Sequence, residues 1–224
     1  MLNRKLITTA DGSSSLQIAD WDETYHSKHG AIQEAEYIFI QEGFQEIAAE
    51  AFNILEIGFG TGLNAFLTIL EAEKSQKNIH YTTLEKYPLR DEEWNQLNYK
   101  SLIAKSEEEN QLFESIYNAN WGDFEKISSV FTIRKLVIDF FDLPSEPYHQ
   151  YDLVYFDAFS YDHQPYLWSE EMFQMLYNQM KTNSILITYA ARGVIKRAME
   201  SAGFTVERLA GPPGKRHILR AYKL

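Results

Sequence analysis

Cysteine is absent from this 224-residue chain, which excludes disulfides, thiolate catalysis and zinc held by sulfur, and fits a reducing compartment. Long apolar runs are missing too, and residues 1–15 carry no apolar core of a secretory signal, so a soluble, cytoplasmic protein is expected. Basic residues are scarce: 21 Lys and Arg stand against 32 Asp and Glu, a net charge of −11 that in bulk disfavours a polyanionic partner. Repeats, low-complexity tracts and linkers are likewise absent. The length suits one α/β domain over residues 51–224 preceded by an N-terminal hairpin and helical extension over residues 1–50.

The charge is unevenly spread. From Arg192 to Leu224 eight basic residues face only Glu200 and Glu207, a net +6, so residues 1–191 carry −17. A basic end on an acidic body can focus a polyanion onto one face, although a solvated basic surface accounts for the count equally well.

Apolar periodicity organises the rest. Residues 1–20 read as a hairpin turning at Asp11-Gly12-Ser13, and Gly30 to Glu50 as two short helices broken near Gly43. Strands follow at 53–57, 79–84, 131–138, 151–156 and 184–189, and an antiparallel pair, 204–208 with 217–222, closes the chain. Helices are expected at 64–74, 169–180 (capped by Ser169) and 194–202, with 89–118 as one inserted helical segment. Strands alternating with helices predict a doubly wound, mostly parallel sheet, which binds ligands beyond the carboxyl ends of its strands.

One such end carries Glu56-Ile57-Gly58-Phe59-Gly60-Thr61-Gly62, leading into a helix at Asn64. Alternate glycines let the backbone turn sharply and approach a ligand without a Cβ in the way. Leu63 stands where a dinucleotide fingerprint needs its third glycine, and no Gly-Lys-Ser/Thr of a P-loop follows. The E-x-G-x-G-x-G pattern resembles instead the first motif of methyltransferases that use S-adenosylmethionine (SAM), giving the fold expectation of a Rossmann-like class I enzyme. A glycine turn of purely structural purpose is the competing reading.

Acidic residues close the neighbouring strands. Glu85, 23 residues beyond Gly62, sits near the offset at which a carboxylate accepts both hydrogen bonds of a ribose diol. Asp139-Phe140 offers an acceptor for an adenine amino group and a wall for its ring, with Asp142 as a rival. Asp157, in Asp157-Ala158-Phe159-Ser160, ends an apolar strand where methyltransferases of this fold keep the residue that holds the acceptor. For an amine acceptor, mostly protonated at neutral pH, a carboxylate there can bind the ammonium, orient it and take its proton. His163, Trp168 and Tyr189 are candidate pocket walls, with packing as their competing role, and the six histidines show no metal-ligand spacing, so no metal is expected.

Taken together, the chain resembles the methyltransferase half of the bifunctional tRNA 5-methylaminomethyl-2-thiouridine biosynthesis family, and more closely its stand-alone forms. The likeness runs through Tyr25-His26-Ser27-Lys28-His29-Gly30-Ala31, Gly58 to Asn64, Glu85-Lys86-Tyr87-Pro88-Leu89, Asp157-Ala158-Phe159, Pro165-Tyr166-Leu167-Trp168 and Gly211-Pro212-Pro213-Gly214-Lys215-Arg216. It implies methylation, from SAM, of the aminomethyl nitrogen on C5 of a wobble uridine in the anticodon arm of tRNA, with no flavin-dependent oxidase half and hence a separate source of the aminomethyl group. By matching motif, Glu56, Gly58, Gly60, Thr61, Gly62, Asn64, Glu85, Lys86, Asp139 and Phe140 would bind the cofactor and Asp157 the acceptor amine. Phe159 and Tyr189 would flank that amine, while Arg192, Lys196, Lys215 and Arg216 would meet tRNA phosphates. The chain departs from the family at Ser160-Tyr161 and at Glu34-Ala35-Glu36. Two other readings stand beside this one: a methyltransferase acting on a different amine, in a small molecule or a protein, and a non-catalytic SAM-binding subunit.

Overall fold

The computed structural model describes residues 2–143 and 150–224. It opens with a small antiparallel sheet of β1 (Arg4–Thr8), β2 (Ser14–Ile18) and β3 (Glu23–Thr24). The β1–β2 turn is tied by the Asp11 carboxylate, which accepts from the Ser13 amide at 3.0 Å and the Thr9 hydroxyl at 2.7 Å. Helix α1 (Ala31–Ala35) then widens into a π-helical turn, Glu36–Gln41, closed by the Glu42 amide donating to the Tyr37 carbonyl five residues back. The consecutive buried side chains Ile38, Phe39 and Ile40 occupy this wide turn, and a 3₁₀ turn, Phe44–Glu46, follows Gly43.

The chain next runs β4 (Ala51–Ile57), α2 (Leu63–Ser75), β5 (Asn78–Glu85), then three short helices, α3 (Asp91–Trp94), α4 (Tyr99–Ile103) and α5 (Glu107–Asn118). The inserted helical segment expected over 89–118 is thus divided into three helices by two breaks. At the first break the Asn98 side chain turns to the N-terminal hairpin, accepting from the Ser14 amide at 2.7 Å and donating to the Gly12 carbonyl at 2.9 Å. At the second, Ser106 caps α5 by accepting from the Glu109 amide, and three glutamates fill the first turn. β6 (Phe124–Lys126), β7 (Phe131–Val137), β8 (Tyr151–Phe156), α6 (Glu170–Gln179), β9 (Met180–Thr188), α7 (Gly193–Ser201), β10 (Thr205–Ala210) and β11 (His217–Lys223) complete the chain. β6 was not legible in the sequence, because three residues of edge strand are too short to show alternation.

The main sheet has eight strands in the order β10-β11-β9-β8-β4-β5-β7-β6. The five from β9 to β7 are parallel, and β11, β10 and β6 add antiparallel edges. Alternate strand residues enter two apolar layers. Ile54, Tyr155 and Ile187 face the side covered by α2 and α5, whereas Leu55, Phe156 and Leu186 face α6 and α7. From β4 the chain proceeds outward in one direction to β5 and β7, and in the other to β8 and β9. Strand order therefore reverses between β4 and β8, the place where such sheets open a crevice. Among the described residues no helix is long and apolar enough to cross a membrane, and no group of metal-ligating side chains occurs.

Candidate active site

The turns that leave β4 and β8 meet over that crevice. The Asp157 amide donates to the Ile57 carbonyl at 3.0 Å, and Gly58, at φ 96°, lies so close that a Cβ would stand 2.7 Å from the Asp157 carbonyl oxygen. Only glycine fits both the backbone angle and the approach. The turn is fastened on its other side by the Gly58 and Phe59 amides, both donating to the Leu84 carbonyl of β5. Gly62, at φ 73°, opens α2, and its missing Cβ makes room for the Trp94 ring, not for the cleft.

From this junction a cleft extends both ways, lined by residues of the β4, β5, β7 and β8 ends, of the N-terminal extension and of the last hairpin. Its first end is built on the sheet. The Glu85 carboxylate accepts from the Gly60 amide at 3.0 Å and the Tyr87 amide at 2.7 Å, while burial lifts its pKa above the ordinary range. Asp139 accepts from Lys86 Nζ at 2.7 Å and caps a 3₁₀ turn through the Phe141 amide, and the Lys86 bond keeps its carboxyl below the usual range. Phe140 lies against this end, whereas Asp142 does not line the cleft. A glycine turn with room for a ligand's backbone approach, a carboxylate beyond it and an aromatic wall fit an adenosyl group; Gly58, Gly60, Glu85, Asp139 and Phe140 would hold it.

The second end gathers residues from across the chain. Asp157 is half-buried in the cleft wall, and desolvation there pushes its carboxyl up to about 7 even though Asn64 Nδ2 donates to Oδ2 at 2.9 Å. The loop carrying it is pinned three ways: by Asn64, by the Tyr189 hydroxyl donating to the Ala158 carbonyl at 2.9 Å, and by Trp168 Nε1 donating to the Phe159 carbonyl at 2.9 Å. Facing it, the N-terminal extension supplies Tyr25, His26, Ser27 and Glu34 to the cleft wall. The Tyr25 ring meets Phe159 edge-on at 5.0 Å. Burial drives the His26 pKa down to about 4, leaving a neutral imidazole between the Ser15 hydroxyl at 3.0 Å and Thr61 Oγ1 at 3.4 Å. Lys215 arrives from the β10–β11 loop: its Nζ sits 3.0 Å from Glu34 Oε1 and 4.3 Å above the Tyr189 ring.

Of the residues singled out from sequence, Gly58, Gly60, Thr61, Asn64, Glu85, Lys86, Asp139, Phe140, Asp157, Phe159, Tyr189 and Lys215 line the cleft. Glu56 and Gly62 lie behind it, with Glu56 fully buried between β4 and α2. His163 also lies away from it, stacked on Trp21 and 3.0 Å from Glu23, whose carboxylate accepts from Ser160 Oγ at 2.9 Å. Trp168 is buried packing. The extension's contribution went unassigned because hairpin residues give no sign of which distant loop they will cover; the Tyr25-His26-Ser27 motif was the available signal.

The basic C-terminal end is mostly spoken for. Arg192 binds Asp162 through both guanidinium nitrogens, Lys196 pairs with Glu200 and Lys223 caps the carbonyls of Tyr177 and Met180. Arg220, buried on β11, reaches Glu207, Glu42 and Glu46. Arg197, Arg208 and Arg216 have no carboxylate partner among the described residues. The +6 expected of this segment is therefore largely neutralised locally.

A family model described as S-adenosyl-L-methionine-dependent methyltransferase matches residues 105–224, more than half of the chain. The tRNA 5-methylaminomethyl-2-thiouridine biosynthesis bifunctional protein MnmC of Idiomarina loihiensis is 28% identical over 222 residues, covering 91% of this chain and 36% of that protein. The protein of the same name from Campylobacter fetus is 28% identical over 207 residues, covering 90% and 33%. The chain thus spans about a third of the length of these curated relatives. Among solved structures, MnmC2 from Aquifex aeolicus superposes with a TM-score of 0.82 at 20% identity, covering 99% of this chain and 71% of that one. Spermidine synthase from Thermotoga maritima gives 0.57 at 13%, covering 99% and 73%. These two likenesses bear on the fold.

Proposed function

Given that this chain belongs to the S-adenosyl-L-methionine-dependent methyltransferase family, we propose that it methylates the amine of a 5-aminomethyluridine, 2-thiolated or not, at the wobble position of tRNA. The observation that carries the reading is the joining of the glycine turn and Asp157 in one cleft, with burial holding the Asp157 carboxyl near 7. A carboxyl poised there ionises at neutral pH yet still accepts a proton readily. The curated relatives are named for 5-methylaminomethyl-2-thiouridine biosynthesis, and an amine precursor of such a product is a substrate class that an acidic acceptor end suits.

Bound SAM supplies an electrophilic methyl on a sulfonium. The chain's own residues prepare the nucleophile. Asp157 pairs with the incoming ammonium, takes one proton from it and leaves the nitrogen lone pair free. Gly58, Gly60 and Glu85 would hold SAM so that its methyl could pass to that lone pair, the S–C electron pair returning to sulfur, to give a secondary ammonium and S-adenosylhomocysteine. Phe159, Tyr25 and Tyr189 wall this end with rings, limiting water around the nucleophile. Arg197, Arg208 and Arg216 are the cations left to meet anticodon-arm phosphates, in the cytoplasm where tRNA matures.

The test is direct: incubate the protein with methyl-labelled SAM and tRNA from cells lacking the modification, then digest to nucleosides. Label in 5-methylaminomethyluridine is expected. The local pairing of the basic residues favours a second reading, a small-molecule amine as acceptor, and label in such an amine with none in tRNA would establish it.

A further inference from the structure

Glu56 presents an anomaly that neither cofactor binding nor packing explains. It is a carboxyl with no exposed surface, in the layer between β4 and α2, where every other neighbouring strand residue of its face is apolar or hydroxyl-bearing. Thr83 Oγ1 donates to its Oε2 at 2.6 Å. Its other oxygen, Oε1, is sealed from solvent without a hydrogen-bond partner, and so are Asn64 Oδ1 and the Tyr81 hydroxyl, the two groups that face it. The Tyr81 hydroxyl brings one proton to the cluster, which leaves one of the two acceptor oxygens, Glu56 Oε1 or Asn64 Oδ1, without a donor unless the carboxyl itself is protonated. The cluster is not isolated: Asn64, the second residue of α2, donates through Nδ2 to Asp157 Oδ2.

We propose that Glu56 is a neutral carboxylic acid whose Oε1–H donates to Asn64 Oδ1, and that this bond positions Asn64 to aim the Asp157 carboxylate at the acceptor amine. Two acceptor oxygens facing each other repel. A proton on Glu56 turns one into a donor, fixes which way the Asn64 amide points, and so commits Nδ2 to Asp157. The Tyr81 hydroxyl can donate to the same carboxyl. Burial keeps that proton in place, lifting the Glu56 pKa to about 8, with the Asp157 charge adding to the effect. Glu56 and Asn64 are then positioning residues of the acceptor end, not ligands of the cofactor. Charge placement agrees: an ionised Glu56 would put a second carboxylate behind Asp157 and favour its protonated form, which cannot take the proton of the ammonium. The inference rests on the amine-acceptor reading.

The test compares Glu56→Gln with Asn64→Leu, both close in shape to the residues they replace, using tRNA methyl transfer by the intact chain. Wild-type turnover on tRNA first establishes the amine reading independently. Glu56→Gln keeps a donor for Asn64 Oδ1, so kcat within about threefold of wild type and an unmoved pH profile are expected. Asn64→Leu removes the bond that favours ionised Asp157. It should lower kcat at least about tenfold, leave the SAM Kd within about threefold, and shift the acid limb of the pH profile upward. A SAM Kd weakened in step with kcat, or a thermal destabilisation with the pH profile unmoved, would overturn the positioning role. Should either variant fail to fold, the wild-type protein decides the matter through its infrared spectrum. Partial isotope labelling of glutamate should reveal a protonated glutamic acid carbonyl at pH 7, and its absence contradicts the neutral acid.

Discussion

The two ends of the cleft are built by different means. The end assigned to the cofactor comes from consecutive strand tips of one sheet: Gly58 and Gly60 after β4, Glu85 after β5 and Asp139 after β7. The end around Asp157 is assembled from Tyr25, His26 and Glu34 of the N-terminal extension, Tyr189 beyond β9 and Lys215 of the last hairpin. The first kind of site is specified by local sequence, because a strand followed by a turn delivers its side chains wherever the sheet forms. The second depends on contacts between distant segments, such as Lys215 with Glu34 and Ser160 with Glu23, and is the part a family can vary without disturbing the first. Both departures from the family pattern, Ser160-Tyr161 and Glu34-Ala35-Glu36, fall at or beside this second end.

Substitutions should separate the two ends. The largest effect is expected where they touch: Gly58→Val forces a side chain against the Asp157 carbonyl at a φ of 96°, and should remove both SAM binding and turnover while leaving a folded protein by circular dichroism. Retained binding would mean the turns can separate, and the ends are not mechanically joined. Glu85→Gln should act on one end only, weakening SAM by about tenfold (about 1.4 kcal/mol) in calorimetry, with kcat at saturating SAM unchanged.

Smaller and more discriminating is the pair Lys215→Met and Arg216→Ala, adjacent in sequence but divided by the structure. Lys215 faces the cleft, so its loss should lower kcat a few-fold with the salt dependence of tRNA binding unaltered. Arg216→Ala should instead reduce the salt slope by about one while sparing kcat. Identical behaviour of the two would erase the distinction. The smallest effect is on stability. Burial raises Asp157 to about 7 and Glu56 to about 8, above unfolded values of about 3.9 and about 4.3. A carboxyl raised on folding stabilises fully below its unfolded pKa, and that contribution is lost as pH climbs through the folded value. Between pH 4 and 8 the melting temperature of the wild type should therefore fall relative to an Asp157→Asn, Glu56→Gln double variant.

The same division governs what could be read from the sequence. Apolar runs closed by Gly58, Glu85, Asp139 and Asp157 were legible because strand and turn are local, and the cleft-lining residues of the cofactor end follow from them. Glu56 was grouped with the cofactor because it opens the glycine motif, yet strand alternation turns it away from the turn and into the layer beneath α2. The basic C-terminal count was misleading for a related reason. Charges add along a sequence whatever they touch, but Arg220 meets Glu42 and Glu46 and Lys215 meets Glu34 only once the chain has folded.

The claim underlying all of this is that one cleft binds donor at the glycine turn and activates acceptor at Asp157. Measuring SAM affinity and single-turnover methyl transfer side by side for Asp157→Asn tests it most directly. The expected result is a Kd within about threefold of wild type and a transfer rate lowered at least about hundredfold, the range lost with a general base. Near-normal transfer, or a rate that falls only because SAM no longer binds, would contradict it.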